Sequence, residues 1–321
     1  MATVVLNYRA PADTLKAVEK VRTSTFLDQR LLVVDNAPDG PEHADLAARL
    51  GQGVECIPTG GNLGYAGGNN VGIRRGVADG AEFIWILNPD TEVNEHTLAR
   101  LMRAAEETPD AAVIGARIVM PGGRRIWFDG GLVDDSRFGS ASHLNAGADP
   151  RRTPADGVRD VGYVTGACML VRSAAIRSVG ELPEEYFLYF EETAFCRDVQ
   201  AAGWRTVVDP RATLVHHKRS SGELPMPYFV YYYCRNRLRF AQRYFGASVD
   251  VVLPDLEQVF VGPWRERVGR HAPDWLPVYD ALVARAVDDA REGRAGRVPD
   301  IESVAVPVAA PAQSQPGGVA C

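Results

Sequence analysis

Short apolar runs alternate with amphipathic stretches through residues 3–119, and few folds accept that rhythm. The runs "TVVLNY" (3–8), "RLLVVDN" (30–36), "VECIPT" (54–59), "EFIWILNPD" (82–90) and "AAVIGARIV" (111–119) have the length and apolar content of buried strands. Between them stand stretches with helical apolar spacing: "ADTLKAVEKVRTS" (12–24), with Asp13 as its cap, "EHADLAARLG" (42–51), closed by Gly51, "NNVGIRRGVADG" (69–80) and "NEHTLARLMRAAEET" (94–108). Strands that alternate with helices predict a parallel α/β sheet covered on both faces. Residues 60–70, "GGNLGYAGGNN", read as a glycine-rich loop that feeds the third helix.

The rhythm then breaks. Residues 122–157 are polar and glycine-rich, which predicts a long loop or an irregular hairpin over one face, a place where lids occur. Strand character resumes in "VRDVGYVTGACMLVR" (158–172) and "RTVVDPRATLVHHK" (205–218), with a helix, "ETAFCRDVQAAGW" (192–204), between them. "PYFVYYYCRNRLRFAQRYFG" (227–246) is an aromatic and basic helix, and 247–297 reads as mostly helical. The tail 298–321, rich in Ala, Pro, Val and Gly, predicts disorder. The resulting division is a domain at 1–245, a helical extension at 246–297 and a tail at 298–321.

Composition narrows the function. A chain of 321 residues, 46% hydrophobic, can bury a large core. A net charge of -6 argues against a general nucleic-acid binder. Five scattered cysteines without a C-x-x-C pair indicate neither a disulfide framework nor a cysteine zinc site, which fits a reducing cytoplasm. No signal-peptide pattern opens the sequence, and no apolar run approaches the roughly 18 to 20 residues that span a bilayer. A peripheral contact with the inner face of the membrane stays open. The apolar spacing in 274–290 suits either packing on its own domain or pairing into a homodimer.

In open α/β sheets, ligands bind outside the carboxyl ends of strands. Three runs end there in polar residues: Asn7-Tyr8, Asp35-Asn36 and Asn88-Pro89-Asp90. One such ending is ordinary turn chemistry; three in one sheet make a candidate site. The glycine loop could let a phosphate approach a helix start, or be only a flexible turn. It has neither the G-x-G-x-x-G nor the G-x-x-x-x-G-K-[ST] spacing, which disfavours a dinucleotide fingerprint or a P-loop. Glu191 and Glu192 follow Tyr186, Phe187, Tyr189 and Phe190. They read either as acids suited to a helix start or as a general base walled by rings. His216 and His217 end a strand and are candidate metal ligands.

Taken in order, "VVLNYR", "LLVVDNAPDG", "GGNLGYAGGNN", "WILNPDTEV", "VTGACMLVRSAAIRSVG", "EEYFLYFEETAFCRDVQAAGW", "LVHH" and "YYYCRNRLRF" resemble family 2 glycosyltransferases, especially the rhamnosyltransferase-like branch. The resemblance covers about residues 3–245. It implies the GT-A fold, a Rossmann-like mixed sheet with helices on both faces, here with a C-terminal helical extension. It also implies inverting sugar transfer from a nucleotide-diphosphate donor, a dTDP-deoxysugar such as dTDP-rhamnose or else a UDP-sugar. The implied acceptor is a hydroxyl of a glycan, a lipid-linked saccharide or a secondary metabolite. By the same resemblance Asp35 reads the pyrimidine, Asn7 and Tyr8 line base and ribose beside Asn36, and Asn62, Gly64 and Gly67 follow the ribose and diphosphate. "NPD" stands at the family's D-x-D, with Asn88 at its first place. Asp90, with His216 or His217, then holds a divalent metal, Mg²⁺ or Mn²⁺. The second acid of the pair, Glu192, is the base, with Glu191 as the alternative. Ala194 replaces the later Asp of the motif. A catalytically weak sugar-nucleotide-binding or scaffold protein is the other reading.

Overall fold

The computed structural model describes residues 1–38, 40–217 and 224–305. The chain begins β1 (Ala2–Asn7), α1 (Pro11–Arg22), β2 (Arg30–Asp35), α2 (Pro41–Leu50), β3 (Val54–Pro58), α3 (Gly64–Ala78) and β4 (Phe83–Leu87). A short β5 (Thr91–Val93), α4 (Thr97–Glu107) and β6 (Ala111–Val119) follow. Next come β7 (Ile126–Phe128), β8 (Gly131–Asp134), β9 (Ser140–His143), β10 (Arg159–Asp160) and β11 (Cys168–Arg172). The rest is α5 (Ser173–Val179), α6 (Glu191–Ala201), β12 (Arg205–His216), α7 (Pro227–Phe245), α8 (Val249–Leu256), α9 (Gly262–His271) and α10 (Leu276–Arg291).

The main sheet has the order β10-β12-β6-β11-β4-β1-β2-β3. β1, β2, β3 and β4 are parallel, as the alternation predicts. β11, beyond the alternating region, lies antiparallel between β4 and β6, so the sheet is mixed, as the family resemblance implies. The chain reaches β11 through loops and a hairpin, without the helical crossover a parallel neighbour needs. Every residue of β4 is buried, and its side chains alternate faces, so both faces of the sheet are covered there. Because β2 and β4 flank β1 on opposite sides, the strand order reverses at β1, the place where such sheets open a crevice.

Several local readings shift. α1 starts at Pro11 with Ala10 as its N-cap, which leaves Asp13 in the first turn and not at the cap. Residues 122–157 contain the β8–β9 hairpin, so the hairpin alternative holds. The glycine-rich "loop" is mostly helix, since α3 begins at Gly64. Its glycines pack. A Cβ on Gly68 would stand 2.5 Å from Leu6 Cδ1, one on Gly72 2.4 Å from Val4 Cγ1, and one on Gly76 2.6 Å from Ile84 Cδ1. Spaced by four, they form one helical stripe that lets α3 lie directly on β1 and β4.

A second apolar cluster joins α7 to α8, α9 and α10, so α7 packs with the extension that follows it. The apolar face of α10, with Tyr279, Leu282, Val283 and Ala286, is used inside the chain. The ordered chain also runs past Val298: Pro299–Ser303 is a short 3-10 helix with Ile301 buried in the second cluster. The remainder of the tail expected to be disordered, 306–321, lies outside the described residues.

The glycine stripe yields a stability test. Alanine favours an exposed helix over glycine by about 1 kcal/mol, whereas forcing extra carbon into a packed interface costs about 1–3 kcal/mol. Gly72→Ala is therefore expected to lower stability in chemical denaturation. A stabilised variant would show that α3 does not need glycine against β1.

Candidate active site

The polar strand ends meet in the crevice at β1. Asn7 and Asp35, partners in the β1–β2 register, are buried and joined, Asn7 Nδ2 donating to Asp35 Oδ1 at 2.8 Å. Asn7 Oδ1 accepts from Thr14 Oγ1 at 2.8 Å, which fixes the amide the right way round. The second Asp35 oxygen meets His43 Nδ1 of α2 at 2.9 Å. Asn36 organises the turn before α3: Nδ2 donates to the Gly64 carbonyl at 2.9 Å, and Oδ1 accepts from Leu63 N at 2.9 Å. Asn62 Oδ1 accepts from Gly64 N at 2.9 Å. Gly64 has φ +78°, and a Cβ there would lie 2.4 Å from Phe187. A Cβ on Gly67 would meet Leu63 at 2.9 Å. Both glycines thus serve contacts within the protein. Tyr8, at the mouth, is exposed under the Arg9 guanidinium.

Asp90 closes a turn after β4. Thr91 Oγ1 donates to the Asn88 carbonyl at 2.6 Å, which bends the chain from β4 straight into β5. The β5–β12 ladder then sets His216 opposite Thr91. That register brings His216 Nε2 to 3.1 Å from Asp90 Oδ1. His216 is buried, and its Nδ1 has no hydrogen-bond partner; the Trp127 ring, 4.5 Å away between centroids, packs on it edge-to-face. His217 turns elsewhere, its Nε2 lying 3.0 Å from Glu92 Oε2. A carboxylate oxygen and an imidazole nitrogen that converge suit a divalent cation. Among the described residues no group of three or more His, Cys, Asp and Glu could hold one.

The acid pair Glu191–Glu192 opens α6. The approach to it is strained: Phe187, Tyr189 and Phe190 have φ of 65°, 68° and 73°. Such conformations cost about 1–3 kcal/mol each for residues other than glycine, and they gather at functional sites. Glu191 is buried and Glu192 half-buried. Burial pushes the Glu191 carboxyl well above the ordinary range, and the neighbouring Glu192 charge pushes it further. Burial also raises Glu192, but its own backbone N–H, that of Gly166 and a hydrogen bond from Glu191 favour its charged form. Of the two, Glu191 is held the more firmly in its protonated form, and Glu192 is the acid whose surroundings favour charge. Backbone N–H groups assist these acids at the helix start, but burial dominates their titration.

Tyr65 connects the two sides. Its hydroxyl donates to the Gly166 carbonyl at 2.6 Å, and burial, with the carboxyl groups of Glu192, Glu191 and Asp90 nearby, raises its pKa well above the ordinary range. The acid pair and Asp90 thus act on one phenol. Ala194 sits in an aromatic cluster with Tyr186, Phe190 and Phe240, where an Asp would be buried among rings.

Tyr65, His43, Trp127 and Asn236 are the residues that reading the sequence missed. Asn236 carried the one available signal: it is a polar residue, flanked by Arg235 and Arg237, in an aromatic helix. All three are buried, and Asn236 Nδ2 donates to the carbonyls of Tyr186, Leu188 and Tyr189 at 2.8, 2.8 and 2.9 Å.

The chain is 25% identical over 277 residues to the low-salt glycan biosynthesis hexosyltransferase Agl10 of Haloferax volcanii, covering 82% of each chain. It is 30% identical over 214 residues to the N-acetylglucosaminyl-diphospho-decaprenol L-rhamnosyltransferase of Mycobacterium tuberculosis, covering 60% of this chain and 67% of that one. Among solved structures, GalNAc-T7 with UDP, GalNAc and Mn²⁺ superposes with a TM-score of 0.60 at 14% identity, over 81% of this chain and about half, 52%, of that one. The mannosyltransferase PcManGT of Pyrobaculum calidifontis superposes with a TM-score of 0.54 at 13% identity, over 94% of this chain and 77% of that one. These likenesses show the GT-A fold. The profile described as Glycosyl transferase family 2 matches residues 3–180, more than half of the chain, and the protein belongs to that family.

Proposed function

We propose that this glycosyltransferase inverts the anomeric carbon of a nucleoside-diphosphate sugar as it transfers the sugar to an acceptor hydroxyl. A dTDP-deoxysugar such as dTDP-rhamnose is the favoured donor, and a UDP-sugar comes next. One observation carries the reading: Asp90, paired with His216, and the acid pair Glu191–Glu192 all lie near enough to Tyr65 to raise its pKa. In-line displacement needs the leaving group and the base on opposite faces of the sugar. The rhamnosyl and hexosyl activities named for the two relatives support the donor class.

In this reading Asp35, held by Asn7 and His43, accepts from the pyrimidine edge, and Tyr8 and Asn7 flank base and ribose. Asn62, Gly64 and Gly67 shape the turn along the diphosphate, with Asn88 beside it. A divalent cation held by Asp90 and His216, Mg²⁺ or Mn²⁺, would offset the charge gathering on the leaving diphosphate. His217 stays outside this set because it is paired with Glu92. The acceptor oxygen attacks the anomeric carbon, its proton passes to the Glu192 carboxylate, and the bond from that carbon to the phosphate oxygen breaks with its electron pair. Glu191 stays protonated and steadies the Glu192 charge until the proton arrives. The acceptor is a glycan, a lipid-linked saccharide or a small molecule. No described helix is long and apolar enough to cross a membrane.

Nucleotide release from a panel of dTDP-, UDP- and GDP-sugars tests the donor. dTDP- and UDP-sugars are expected to react well ahead of GDP-sugars, and Asp35→Ala should raise donor KM more than it lowers kcat; equal use of GDP-sugars contradicts the role of Asp35. Asp90→Ala should nearly abolish transfer while nucleotide-free stability is kept, and EDTA should do the same to the wild type. Undiminished turnover in excess EDTA would exclude the cation role.

The acid pair makes a separate prediction. Glu192→Gln should lower kcat by roughly 10² to 10⁴, the usual contribution of a general base. A base must be deprotonated to act, and burial raises Glu192. The acidic limb of the kcat/KM profile should therefore lie above the ordinary glutamate range, with activity rising as pH passes through it. Glu191→Gln, whose amide can donate in place of the protonated carboxyl, should keep that limb in place. A dead Glu191→Gln beside an active Glu192→Gln would move the base by one residue.

A further inference from the structure

The backbone before Glu191 turns its carbonyls inward. Positive φ at Phe187, Tyr189 and Phe190 takes this segment out of any helix or sheet ladder, so its carbonyls need other donors. One side chain serves three of these carbonyls, its two N–H groups sharing one hydrogen bond between two of them. Asn236 of α7, fully buried, donates through Nδ2 to Tyr186, Leu188 and Tyr189. Its orientation is not free: Arg235 Nε donates to Asn236 Oδ1 at 3.0 Å, which leaves only the NH₂ end to face the loop. Arg235 itself is wedged over the rings of Tyr231 and Tyr232 and donates to the carbonyls of Tyr186 and, at 2.8 Å, Gly296.

The remaining carbonyl of the segment faces the other way. Phe187 O accepts from Tyr65 N at 2.7 Å. The Tyr65 hydroxyl in turn donates to the Gly166 carbonyl, and the backbone N–H of Gly166 favours the Glu192 charge. The strained segment is thus gripped from α7 on one side and from the active-site crevice on the other, and it ends at Glu191.

We propose that Asn236 is a positioning residue for sugar transfer: by holding the carbonyls of Tyr186, Leu188 and Tyr189 it sets the Glu191–Glu192 pair against the acceptor. The inference rests on Glu192 as the base. α7 thereby becomes a working part of the active site, although Asn236 touches neither donor nor acceptor.

Asn236→Asp tests this. The variant keeps the size of the side chain and replaces its donor with an acceptor that faces three carbonyls. Wild type, Asn236→Asp, Asn236→Ser and Glu192→Gln are compared for UDP and dTDP affinity, steady-state kinetics across pH, and amide hydrogen exchange. Asn236→Asp is expected to bind nucleotide as the wild type does and to lose about 10²-fold in kcat, the cost of misplacing a reacting group by about 1 Å. Donor KM should stay unchanged, the acidic limb should shift, and exchange should quicken at the Tyr65 amide. Unchanged kcat and an unchanged limb in a folded Asn236→Asp overturn the proposal. Loss of nucleotide binding in both Asn236→Asp and the smaller, uncharged Asn236→Ser makes Asn236 a folding element and overturns it too. If Glu192→Gln is inactive while Asn236→Asp is fully active, the base stands and only the positioning role falls. If Glu192→Gln keeps full activity, the base assignment falls and this inference with it.

Discussion

Two carboxyl groups that share a buried space cannot both carry charge, and the surroundings of Glu191 and Glu192 follow from that constraint. Burial alone would make both neutral, and neither could then take a proton at neutral pH. The structure separates them. Glu192 is the more exposed and faces the N–H of Gly166, whereas Glu191 is buried and donates to its neighbour. The strained approach through Phe187, Tyr189 and Phe190 delivers this pair to the start of α6. An ordinary helix entry would not need those conformations. Their cost is met by the packing of Phe187 on Tyr232, of Phe190 on Tyr233 and Phe240, and by the α7 amide.

The other half of the site depends on strand register. Asp90 stands where β4 turns into β5, and the short β5–β12 ladder delivers His216 to it. The neighbouring His217 points to Glu92 because successive residues in a strand face opposite sides. One residue of slip would exchange the two histidines. β1 and β2 place Asn7 beside Asp35 by the same logic. The glycine stripe of α3 lets that helix sit close on β1 and β4, with Tyr65 in its first turn near Asp90 and the acid pair.

Much of this was legible in the sequence, and the limits have physical reasons. Apolar alternation located the strands and helices of the first 119 residues, because burial on two faces leaves a long apolar record. Strand direction leaves none, so alternation alone does not reveal the antiparallel β11, and the mixed sheet rested on the family resemblance. A run of glycines reads alike in a flexible loop and in a helix pressed on a sheet; what decides is Leu6, Val4 and Ile84 on the far side. Asp90, His216 and Glu192 were visible as polar residues at the ends of apolar or aromatic runs. His43 and Tyr65 were not, since each acts across a contact that sequence spacing does not announce, and Asn236 reaches Tyr186 from 50 residues away.

The protonation of the acid pair in the resting protein is the most direct test of this account. Difference infrared spectroscopy at neutral pH, on wild type, Glu191→Gln and Glu192→Gln, reads the C=O stretch of a protonated carboxyl. The account predicts one such band, lost in Glu191→Gln and retained in Glu192→Gln. A wild-type spectrum without a protonated carboxyl, or a band that vanishes only in Glu192→Gln, would contradict it.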